Sequence, residues 1–381
     1  MLFDTPAPDG LEEAVVGRID EVRKTLSYAT AAKRWRGVLA RMTLARGIRG
    51  SNSIEGFHVT IEDAMAAGAD EAPMDAAGET LGALVGYRNA MTYALQLSDD
   101  PHFSYSCGLI KSLHFMMQQY DFSKNPGRWR SGPIFVRDDE SGARVYEGPD
   151  ASSVNALAHE LTEVLNNPPA GSPPMVVAAM AHLNLVMIHP FSDGNGRMGR
   201  VLQTMVLARG GHVAKEFCSI EEYLGRNRQA YYDVLAQVGA GSWHPERDAR
   251  PWVRFCLTAH YRQASTLVRR ANVMEKLWDL LEHETSRRGL PERSIPALAE
   301  AALGLRIRNG TYRKAADISD NVASRDLKVL SDAGLLVPQG AKRGRHYTAS
   351  DALRALGAAA AQGEKRQFAD PFELEQVPPS A

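Results

Sequence analysis

The chain has 381 residues, which is long enough for two or three folded domains. Its 44% hydrophobic and 23% charged residues are typical of a globular protein, and its formal net charge of −1 excludes a chain-wide attraction to nucleic acid or to an acidic membrane. Three widely separated cysteines exclude a disulfide framework or a zinc knuckle. No stretch reaches the roughly 20 apolar residues of a membrane helix, and the N-terminus lacks a signal-peptide pattern. We therefore expect a cytoplasmic protein without a membrane partner.

The N-terminal third is predicted to be helical. Residues 11–48 are rich in Ala, Arg, Leu and Glu, and we expect this helical run to break at Gly50. A further helix is predicted over 76–97, after a connector at 66–75 that is rich in Ala, Gly and Asp.

The middle of the chain combines helices with one hairpin. Two short β-prone runs, Ile134–Val136 and Arg144–Tyr146, surround a turn-forming stretch at 138–142 and predict a β-hairpin. Helices are predicted on either side of the hairpin, over 104–120, 151–166 and 175–188, and from just after Gly196 to Gly210.

The last hundred residues have a different character. An amphipathic helix is predicted over 271–284, with Leu277, Leu280 and Leu281 facing inward. It is followed by a helix, a turn, a second helix, a strand, a basic loop and a strand, which is the order of a winged helix. The last fifteen or so residues lack periodicity and are predicted to be disordered.

The segment His189–Arg200 (HPFSDGNGRMGR) follows an apolar helix and leads into the next helix. Gly194 and Gly196 flank Asn195, so that backbone N–H groups can approach a ligand without obstruction by side chains. These groups lie at a helix N-terminus, where unpaired N–H groups and the helix dipole favour a phosphate.

The same segment carries charged and titratable side chains. Arg197 and Arg200 are three residues apart and can reach one polyphosphate. Asp193 offers a hard oxygen of the kind that suits Mg²⁺ held mainly by phosphates. His189 is the side chain here whose ordinary pKa lets it deprotonate a hydroxyl near neutral pH. The segment therefore predicts a phosphate site with a base and a metal ligand.

Two other interpretations of this segment are disfavoured. The spacing Gly194-x-Gly196-x-x-Gly199, with Glu221 further on, matches a dinucleotide-binding fingerprint. That fingerprint requires a preceding strand, whereas the residues before His189 have helical character. The second interpretation is that His189 and the arginines only cap and solvate a junction between two helices. It would require the whole pattern of residues to have arisen by chance.

The twelve residues match the signature H-P-F-x-[DE]-G-N-G-R-x-x-R at every defined position, and the chain therefore resembles the Fic family. The resemblance implies that His189 is the general base acting on a target hydroxyl and that Asp193 is the Mg²⁺ ligand. It also implies three groups of phosphate contacts: a cradle of Gly194, Asn195 and Gly196, an outer contact from Arg197, and a γ-phosphate contact from Arg200.

The resemblance also implies an activity and a target. The kinase-like branch of the family has Lys at the place of Gly196, so that its absence favours transfer of AMP from ATP with release of pyrophosphate. The hairpin at 131–147 resembles the family's flap, which holds a target protein in an extended conformation and presents its Ser, Thr or Tyr hydroxyl. Tyr231 and Tyr232 resemble a pair near the adenine, although Gly239 stands where some relatives carry Asn.

An upstream segment resembles the family's inhibitory motif, [ST]-x-x-x-E-[GN]. In this chain the motif comprises Ser51 to Gly56, with Glu55 at its acidic position. A carboxylate that pairs with Arg200 would occupy the place of the γ-phosphate and misalign ATP. We therefore expect an autoinhibited enzyme.

The resemblance leads us to expect a mainly α-helical protein, with a Fic helical bundle, a hairpin flap and a small α+β winged-helix domain. The expected division is an N-terminal helical region at 1–100, a catalytic core at 101–265, a winged helix at 266–352 and a partly disordered tail at 353–381.

Several questions about partners and donor stay open at this level. The predicted winged helix carries a basic cluster that could contact DNA, diluted by nearby acids; the basic residues are Arg325, Lys328, Lys342, Arg343 and Arg345, and the acids are Asp317, Asp320, Asp326 and Asp332. One alternative function is a nucleotide-sensing DNA-binding regulator. Another is a Fic enzyme that uses a different nucleotide or a CDP-alcohol as donor. A third is a Fic enzyme that mainly removes AMP from a modified protein. Self-modification and a homodimer are further candidates.

Overall fold

The computed structural model describes residues 1–68, 73–137, 142–211, 217, 219–341, 344–364 and 368–374. The fold across these residues is mainly helical, as expected. The helices are α1 (Gly10–Thr30), α2 (Arg36–Ile54), α3 (Ile61–Gly68), α4 (Gly78–Leu97), α5 (Cys107–Gln118), α6 (Val154–Asn166), α7 (Pro174–Ile188), α8 (Asn195–Arg209), α9 (Glu221–Arg226), α10 (Arg228–Gly239), α11 (Arg250–Arg288), α12 (Ile295–Ala302), α13 (Asn309–Ala316), α14 (Asp320–Asp332) and α15 (Asp351–Ala360). The strands are β1 (Phe135–Arg137), β2 (Arg144–Glu147), β3 (Gly241–Ser242), β4 (Leu336–Gln339) and β5 (His346–Ala349).

Helices α7 and α8 form the centre of the larger hydrophobic core. Helix α7 begins with Pro174 in its first turn, where a missing N–H costs nothing, and its residues are buried on nearly every face. It ends at His189, and α8 starts six residues later at Asn195. The short connection holds the two helices in contact and places the His189–Arg200 segment at their junction.

A second hydrophobic core joins the two ends of the chain. Leu26 and Leu39, from α1 and α2, are packed in the same cluster as Leu277 and Leu281 from the C-terminal half of α11. Residues earlier in α1, such as Ile19, and later in α2, such as Ile48, belong instead to the larger core. The N-terminal region therefore packs into both cores and has no separate core of its own among the described residues.

The hairpin predicted between residues 131 and 147 is confirmed. Strands β1 and β2 are antiparallel, with Val136 opposite Tyr146, and β3 adds a short parallel pairing to β2 that the sequence did not indicate. The order β1-β2-β3 leaves β1 at an edge of this sheet. Most of the predicted turn, at 138–141, lies outside the described residues.

The predicted break of the first helix at Gly50 is wrong. The helix is interrupted earlier, between Thr30 and Arg36, and α2 then continues through Gly50 to Ile54. Gly50 serves close packing and not termination, because a Cβ at this position would clash with the backbone carbonyl of Glu221 at the start of α9. The first four residues of the predicted inhibitory motif, from Ser51 to Ile54, therefore form the last turn of α2, and Glu55 follows this turn.

The C-terminal elements also differ from the prediction in extent. Helix α11 is continuous from Arg250 to Arg288, so that the predicted boundary between 265 and 266 falls inside it and the helix predicted at 271–284 is only its second half. The composition changes there because the helix passes from the first core to the second. The first residues of the tail predicted from 353 onward belong to α15, which is capped at its N-terminus by Ser350 and packs on α11 and α12.

Helices α13 and α14 and strands β4 and β5 follow one another in the predicted order, and β4 pairs with β5 in antiparallel register. An isolated bridge joins Ile307 to Tyr347. Two residues of the predicted basic loop, Lys342 and Arg343, lie outside the described residues, and assignment of this region to the winged-helix class stays a prediction. No helix in the described ranges has both the length and the apolar character that crossing a membrane requires.

Candidate active site

His189 ends helix α7 in the left-handed conformation, with φ 49° and ψ 58°. This conformation turns the chain sharply into the loop and is uncommon for a residue other than glycine. The ring Nδ1 lies 3.0 Å from the carbonyl oxygen of Val186. A carbonyl can only accept a hydrogen bond, so that Nδ1 carries the proton and Nε2 keeps a lone pair. Nε2 of His189 is therefore available to accept a proton.

The surroundings of His189 favour its neutral form. Burial lowers the pKa of the imidazole, and the positive charge of Arg130 lowers it further. The hydrogen bond to Val186 and the negative charges of Glu55 and Asp193 oppose this effect without reversing it, so that the pKa lies below its ordinary value of 6.5. An imidazole must be neutral to accept a proton, and the lowered pKa keeps His189 neutral at neutral pH.

Asn195 shapes the loop through its side chain. Its Oδ1 accepts from the backbone N–H of Phe191 and its Nδ2 donates to the backbone carbonyl of Phe191, both at 2.9 Å. The buried ring of Phe191 stacks on His114 with centroids 3.6 Å apart. Since the amide of Asn195 is used within the loop, only its backbone N–H is placed to serve the predicted phosphate cradle.

The N-terminus of α8 is open to an anion. Gly194 precedes the helix at φ 76°, a conformation that glycine adopts without strain, and the first N–H groups of the helix have no partner within it. A carboxylate already approaches this end of the helix, because Oε1 of Glu55 lies 2.7 Å from where a Cβ on Gly196 would be. The place expected for phosphate oxygens is thus next to the acidic side chain that follows α2.

Asp193 presents one carboxylate beside this helix N-terminus. Gln118 donates to its Oδ2 at 3.0 Å, its Oδ1 accepts from the N–H of Gly194 at 2.7 Å, and Lys124 lies 3.9 Å away. Among the described residues, no group of three or more His, Cys, Asp or Glu side chains is arranged to hold a metal. A single carboxylate that is 38% exposed still fits a Mg²⁺ ion that draws most of its ligands from phosphates and water.

Arg197 and Arg200 are both buried, at 1% exposure, and both are held by other side chains. Arg197 donates to Oε1 of Gln118 at 3.0 Å. Arg200 donates through Nε to the hydroxyl of Ser51 at 2.7 Å and through Nη2 to Oε1 of Glu55 at 2.7 Å. The structure thus brings together Ser51, Glu55 and Arg200, although about 150 residues separate the two segments.

Glu55 lies at an unfavourable position for a carboxylate. It follows the last residue of α2, where the helix dipole is negative. The Arg200 guanidinium and the N-terminus of α8 offset this cost, because both attract negative charge. The carboxylate is 24% exposed, so that one side of the pair remains accessible to water.

The two tyrosines occupy different surroundings. Tyr231 is buried in the core, at 1% exposure, with its hydroxyl 3.1 Å from Nε2 of His182. Tyr232 is 37% exposed, and its hydroxyl donates to the backbone carbonyl of Ile54 at 3.1 Å. In this arrangement Tyr231 is a core residue and Tyr232 contacts the last turn of α2, so that a contact of either ring with adenine stays a prediction.

Gly239 packs against the root of the hairpin. A Cβ at this position would lie 3.2 Å from Met187 and from the ring of Tyr146. There is thus little room here for the Asn side chain that the resemblance associates with this position.

Three site residues escaped the sequence prediction. His114 accepts from the N–H of Gly127 at 2.9 Å through Nδ1, so that Nε2 carries the proton and donates to the carbonyl of Asp193 at 3.0 Å. Burial lowers the pKa of His114 to about 4. Gln118, one turn later, joins Asp193 to Arg197. His114 and Gln118 are polar residues four positions apart in a largely apolar helix, and this pattern could have indicated their role. The third residue, Arg130, has no such pattern in the sequence around it.

The dinucleotide-binding interpretation is excluded, because a helix and not a strand precedes the glycines. Glu221 is buried, accepts a hydrogen bond from Thr204 at 3.2 Å and packs behind Gly50. Burial raises its pKa to about 7. Its surroundings are those of a core carboxyl group and not of a ribose ligand.

The predicted DNA-contacting residues lie on the C-terminal elements. Arg325, Lys328 and Arg345 are exposed, and Lys328 pairs with Asp332 at 2.7 Å. Asp326 is buried and paired with Arg293, so that it adds little to the surface charge. DNA binding stays a prediction.

Comparison with known proteins identifies relatives of this site and fold. Residues 105–207 match the sequence model of the Fic/DOC family. A protein adenylyltransferase Fic from Nematostella vectensis is 28% identical over 257 residues, covering 66% of this chain and 55% of the relative. Another, from Aedes aegypti, is 33% identical over 166 residues, covering 43% of this chain and 30% of the relative. The chain spans about half or less of the length of these relatives.

The fold is similar to that of a Fic family protein from Desulfovibrio desulfuricans G20, with a TM-score of 0.55 and 20% identity over 91% of this chain and 98% of that one. At this identity the likeness concerns the fold alone. The matched residues include the whole His189–Arg200 segment, and the helical fold agrees with the match. The chain therefore carries, in residues 105–207, a Fic domain that matches the Fic/DOC family model.

Proposed function

We propose that this protein transfers AMP from ATP to a hydroxyl group of a target protein. The observation that carries the proposal is the junction of α7 and α8, where Nε2 of His189 keeps its lone pair beside a helix N-terminus open to phosphate. The name of the curated relatives, protein adenylyltransferase, supports the same reaction class.

The proposed step is an in-line displacement at the α-phosphorus of ATP. The target hydroxyl oxygen forms a bond to this phosphorus, and the bond from the phosphorus to the bridging oxygen breaks. Pyrophosphate leaves with that oxygen, and the hydroxyl proton passes to Nε2 of His189. The neutral His189 described above supplies the acceptor without a prior deprotonation.

Charge on the polyphosphate is balanced by several groups of this chain. The N–H groups at the start of α8 and the guanidinium groups of Arg197 and Arg200 are the proposed contacts. Asp193, oriented by Gln118 and His114, would hold Mg²⁺, and the ion would supply positive charge to offset the negative charge of the polyphosphate.

The edge strand β1 is the proposed docking place of the target. Its outer edge has no strand partner among the described residues, so that an extended segment could pair with it. Specificity would then come from side chains on either side of the modified residue. The root of the hairpin lies against the backbone of His189, which would bring the paired segment toward the base.

We further propose that the protein is autoinhibited by Glu55. Its carboxylate pairs with Arg200 and lies against Gly196, where the terminal phosphate of a productive ATP is expected. A charge-assisted hydrogen bond of this kind is worth about 1.5–3 kcal/mol. ATP that binds alongside the pair would have its α-phosphate displaced from the line of attack, and small displacements lower rates strongly.

The reaction class is tested by comparing ATP labelled at the α-phosphate with ATP labelled at the γ-phosphate. The Glu55→Gly protein is incubated with Mg²⁺, a bacterial lysate as a source of targets, and ATP labelled at the α- or the γ-phosphate. We expect label on protein from the α-phosphate, none from the γ-phosphate, and none with Glu55→Gly/His189→Ala. Label from the γ-phosphate would indicate phosphate transfer, and no label despite measured ATP binding would favour another donor; either result contradicts the proposal.

A further inference from the structure

Arg130 makes an unusual set of contacts at the root of the hairpin. Its Nε donates to the carbonyl of His189 at 2.8 Å, its Nη1 to Gly132 at 2.8 Å and its Nη2 to Pro149 at 2.5 Å. A longer contact of 3.4 Å joins Nη2 to the carbonyl of Ile188. All of these acceptors are backbone carbonyl oxygens.

The partners come from three separate segments of the chain. Gly132 precedes β1 and Pro149 follows β2, so that the two residues bracket the hairpin. The other acceptors belong to the end of α7, whose last carbonyls have no partner within the helix. One rigid, planar guanidinium therefore fixes both ends of the hairpin to the backbone of the proposed base.

The surroundings show that this position is closely fitted. Arg130 is 8% exposed, and its backbone N–H also donates to the carbonyl of Pro190 at 2.9 Å. A Cβ on Gly148 would come within 2.6 Å of Ile134 and 3.3 Å of Nη2 of Arg130, so that glycine is needed for the approach. A buried guanidinium bonded only to carbonyls costs desolvation energy, which its four contacts must offset.

We propose that Arg130 is a positioning residue that holds the hairpin and His189 in a fixed mutual arrangement. The inference rests on the proposed function in one respect, namely that the hairpin presents the hydroxyl whose proton His189 accepts. Loss of the guanidinium would leave each part folded but let the hairpin move relative to Nε2. An error of about 1 Å in such an arrangement costs roughly 100-fold in rate.

The positive charge of Arg130 provides a second, independent quantity to measure, the pKa of His189. Its positive charge lowers the pKa of His189, whereas Glu55 and Asp193, the acidic groups that face the ring, raise it. Arg130→Met removes both the charge and the fork of donors. Arg130→Lys keeps the charge but cannot reach the same three carbonyls, so that the two substitutions separate charge from position.

The test combines an activity measurement with nuclear magnetic resonance on the full chain. Transfer is measured in the Glu55→Gly background, ATP affinity by equilibrium titration, and the His189 pKa from the ring carbon shifts of labelled histidine without Mg²⁺. We expect kcat/KM for the target to fall by about 100-fold in Arg130→Met and at least about tenfold in Arg130→Lys, with ATP affinity unchanged. The pKa of His189 should rise in Arg130→Met and stay unchanged in Arg130→Lys.

Arg209→Met is the matched control. Arg209 also donates to backbone carbonyls, those of Leu97, Ser98 and Asp100, but it lies at the other end of α8, about 21 Å along the helix axis from Asn195. We expect it to lower stability without changing the pKa of His189 or the ATP-saturated rate.

Two results would overturn the proposal. One is an Arg130→Lys protein that transfers AMP as fast as the Glu55→Gly protein from which it is made. This result tests the positioning role of Arg130 even if Arg130→Met fails to fold. The other is an Arg209→Met control that loses as much activity as the Arg130 variants. If Glu55→Gly itself transfers no AMP, the proposed function fails, and the resonance measurement still decides whether Arg130 sets the pKa of His189.

Discussion

At the scale of single residues, the site depends on where protons and charges are held. His189 is fixed in a left-handed conformation, and its Nδ1 proton is directed at Val186, which leaves Nε2 to accept a proton. His114 has the opposite tautomer, because Gly127 donates to its Nδ1. The two histidines therefore differ: His189 keeps the lone pair of Nε2, whereas Nε2 of His114 donates to the backbone carbonyl of Asp193.

The pH dependence of transfer follows from the lowered pKa of His189. A base acts in its neutral form, so that the rate should be insensitive to this group above pH 6.5 and fall only in more acidic solution. The measurement is kcat/KM of Glu55→Gly between pH 5 and pH 9. An acidic limb centred above pH 6.5 would contradict the assigned cause.

Removal of Glu55 should have opposite effects on stability and activity. Glu55→Gly leaves Nη2 of the buried Arg200 with only the backbone carbonyl of Ser51, so that we expect a loss of about 1–3 kcal/mol in unfolding free energy. ATP can replace the lost carboxylate and should raise the melting temperature more in Glu55→Gly than in the wild type. Equal ATP-induced shifts in the two proteins would argue against a shared place for carboxylate and phosphate.

At the scale of elements, helix α2 leads into the segment from Ser51 to Gly56 that we propose to be inhibitory, and the position of this segment depends on the contact of α2 with α9. Gly50 lies directly against the backbone of Glu221 and Gly225. Because α2 ends only four residues later, a displacement at Gly50 reaches Glu55 with little attenuation. The hydroxyl of Tyr232 adds a second contact, to the carbonyl of Ile54.

Gly50→Ala should therefore loosen the inhibitory segment. A methyl group would clash with the carbonyl of Glu221, and overpacking of this kind costs about 1–3 kcal/mol. We expect lower thermal stability together with a higher basal rate of transfer. Gly17→Ala in α1 is the control, because open space surrounds its Cβ and alanine favours a helix by up to about 1 kcal/mol. A stable Gly50→Ala protein with unchanged basal activity would contradict the account.

The sequence predicts some of these elements better than others, for physical reasons. The hairpin and α7 follow from local periodicity and turn residues, and the His189–Arg200 segment is contiguous. The predicted break at Gly50 was wrong because the sequence alone does not distinguish a glycine that permits close packing from a glycine that ends a helix. Arg130 escaped prediction because its partners are backbone atoms of distant segments, which no local pattern encodes.

At the scale of the whole molecule, both hydrophobic cores include the N-terminal helices, and α11 extends through both cores. The segment from Ser51 to Gly56, proposed to be inhibitory, is therefore built into the fold and not appended to it. Helix α15 packs against α11 and α12, which adds part of the predicted tail to the same body.

Several histidines buried in the fold should make the protein sensitive to acid. Burial lowers the pKa of His114 to about 4 and of His182 to about 3, and places that of His260 well below 6.5. Each folded-state pKa is below the unfolded value, so that stability is present above pH 6.5 and is lost as the pH falls toward 4. For His114 alone the loss by pH 4 is roughly 3 kcal/mol.

Unfolding in urea at a series of pH values measures this effect. We expect the unfolding free energy to be nearly constant from pH 8 to pH 7 and to decline below pH 6.5. A free energy that stays constant down to pH 5 would show that these imidazoles are not held neutral by the fold.

The most direct test of the central claim, an AMP-transfer site restrained by Glu55, is the initial rate of label transfer to protein from α-labelled ATP. The wild type is compared with Glu55→Gly, Glu55→Gln, Glu55→Gly/His189→Ala, and Glu62→Gln as a control, since Glu62 pairs with Arg306 away from the site. We predict a rise of about tenfold or more in both Glu55 variants, which lose a charge-assisted bond to Arg200. No change is expected in Glu62→Gln, and no label in the His189→Ala double variant. Equal rates in the wild type and both Glu55 variants, or label that persists without His189, would contradict the account.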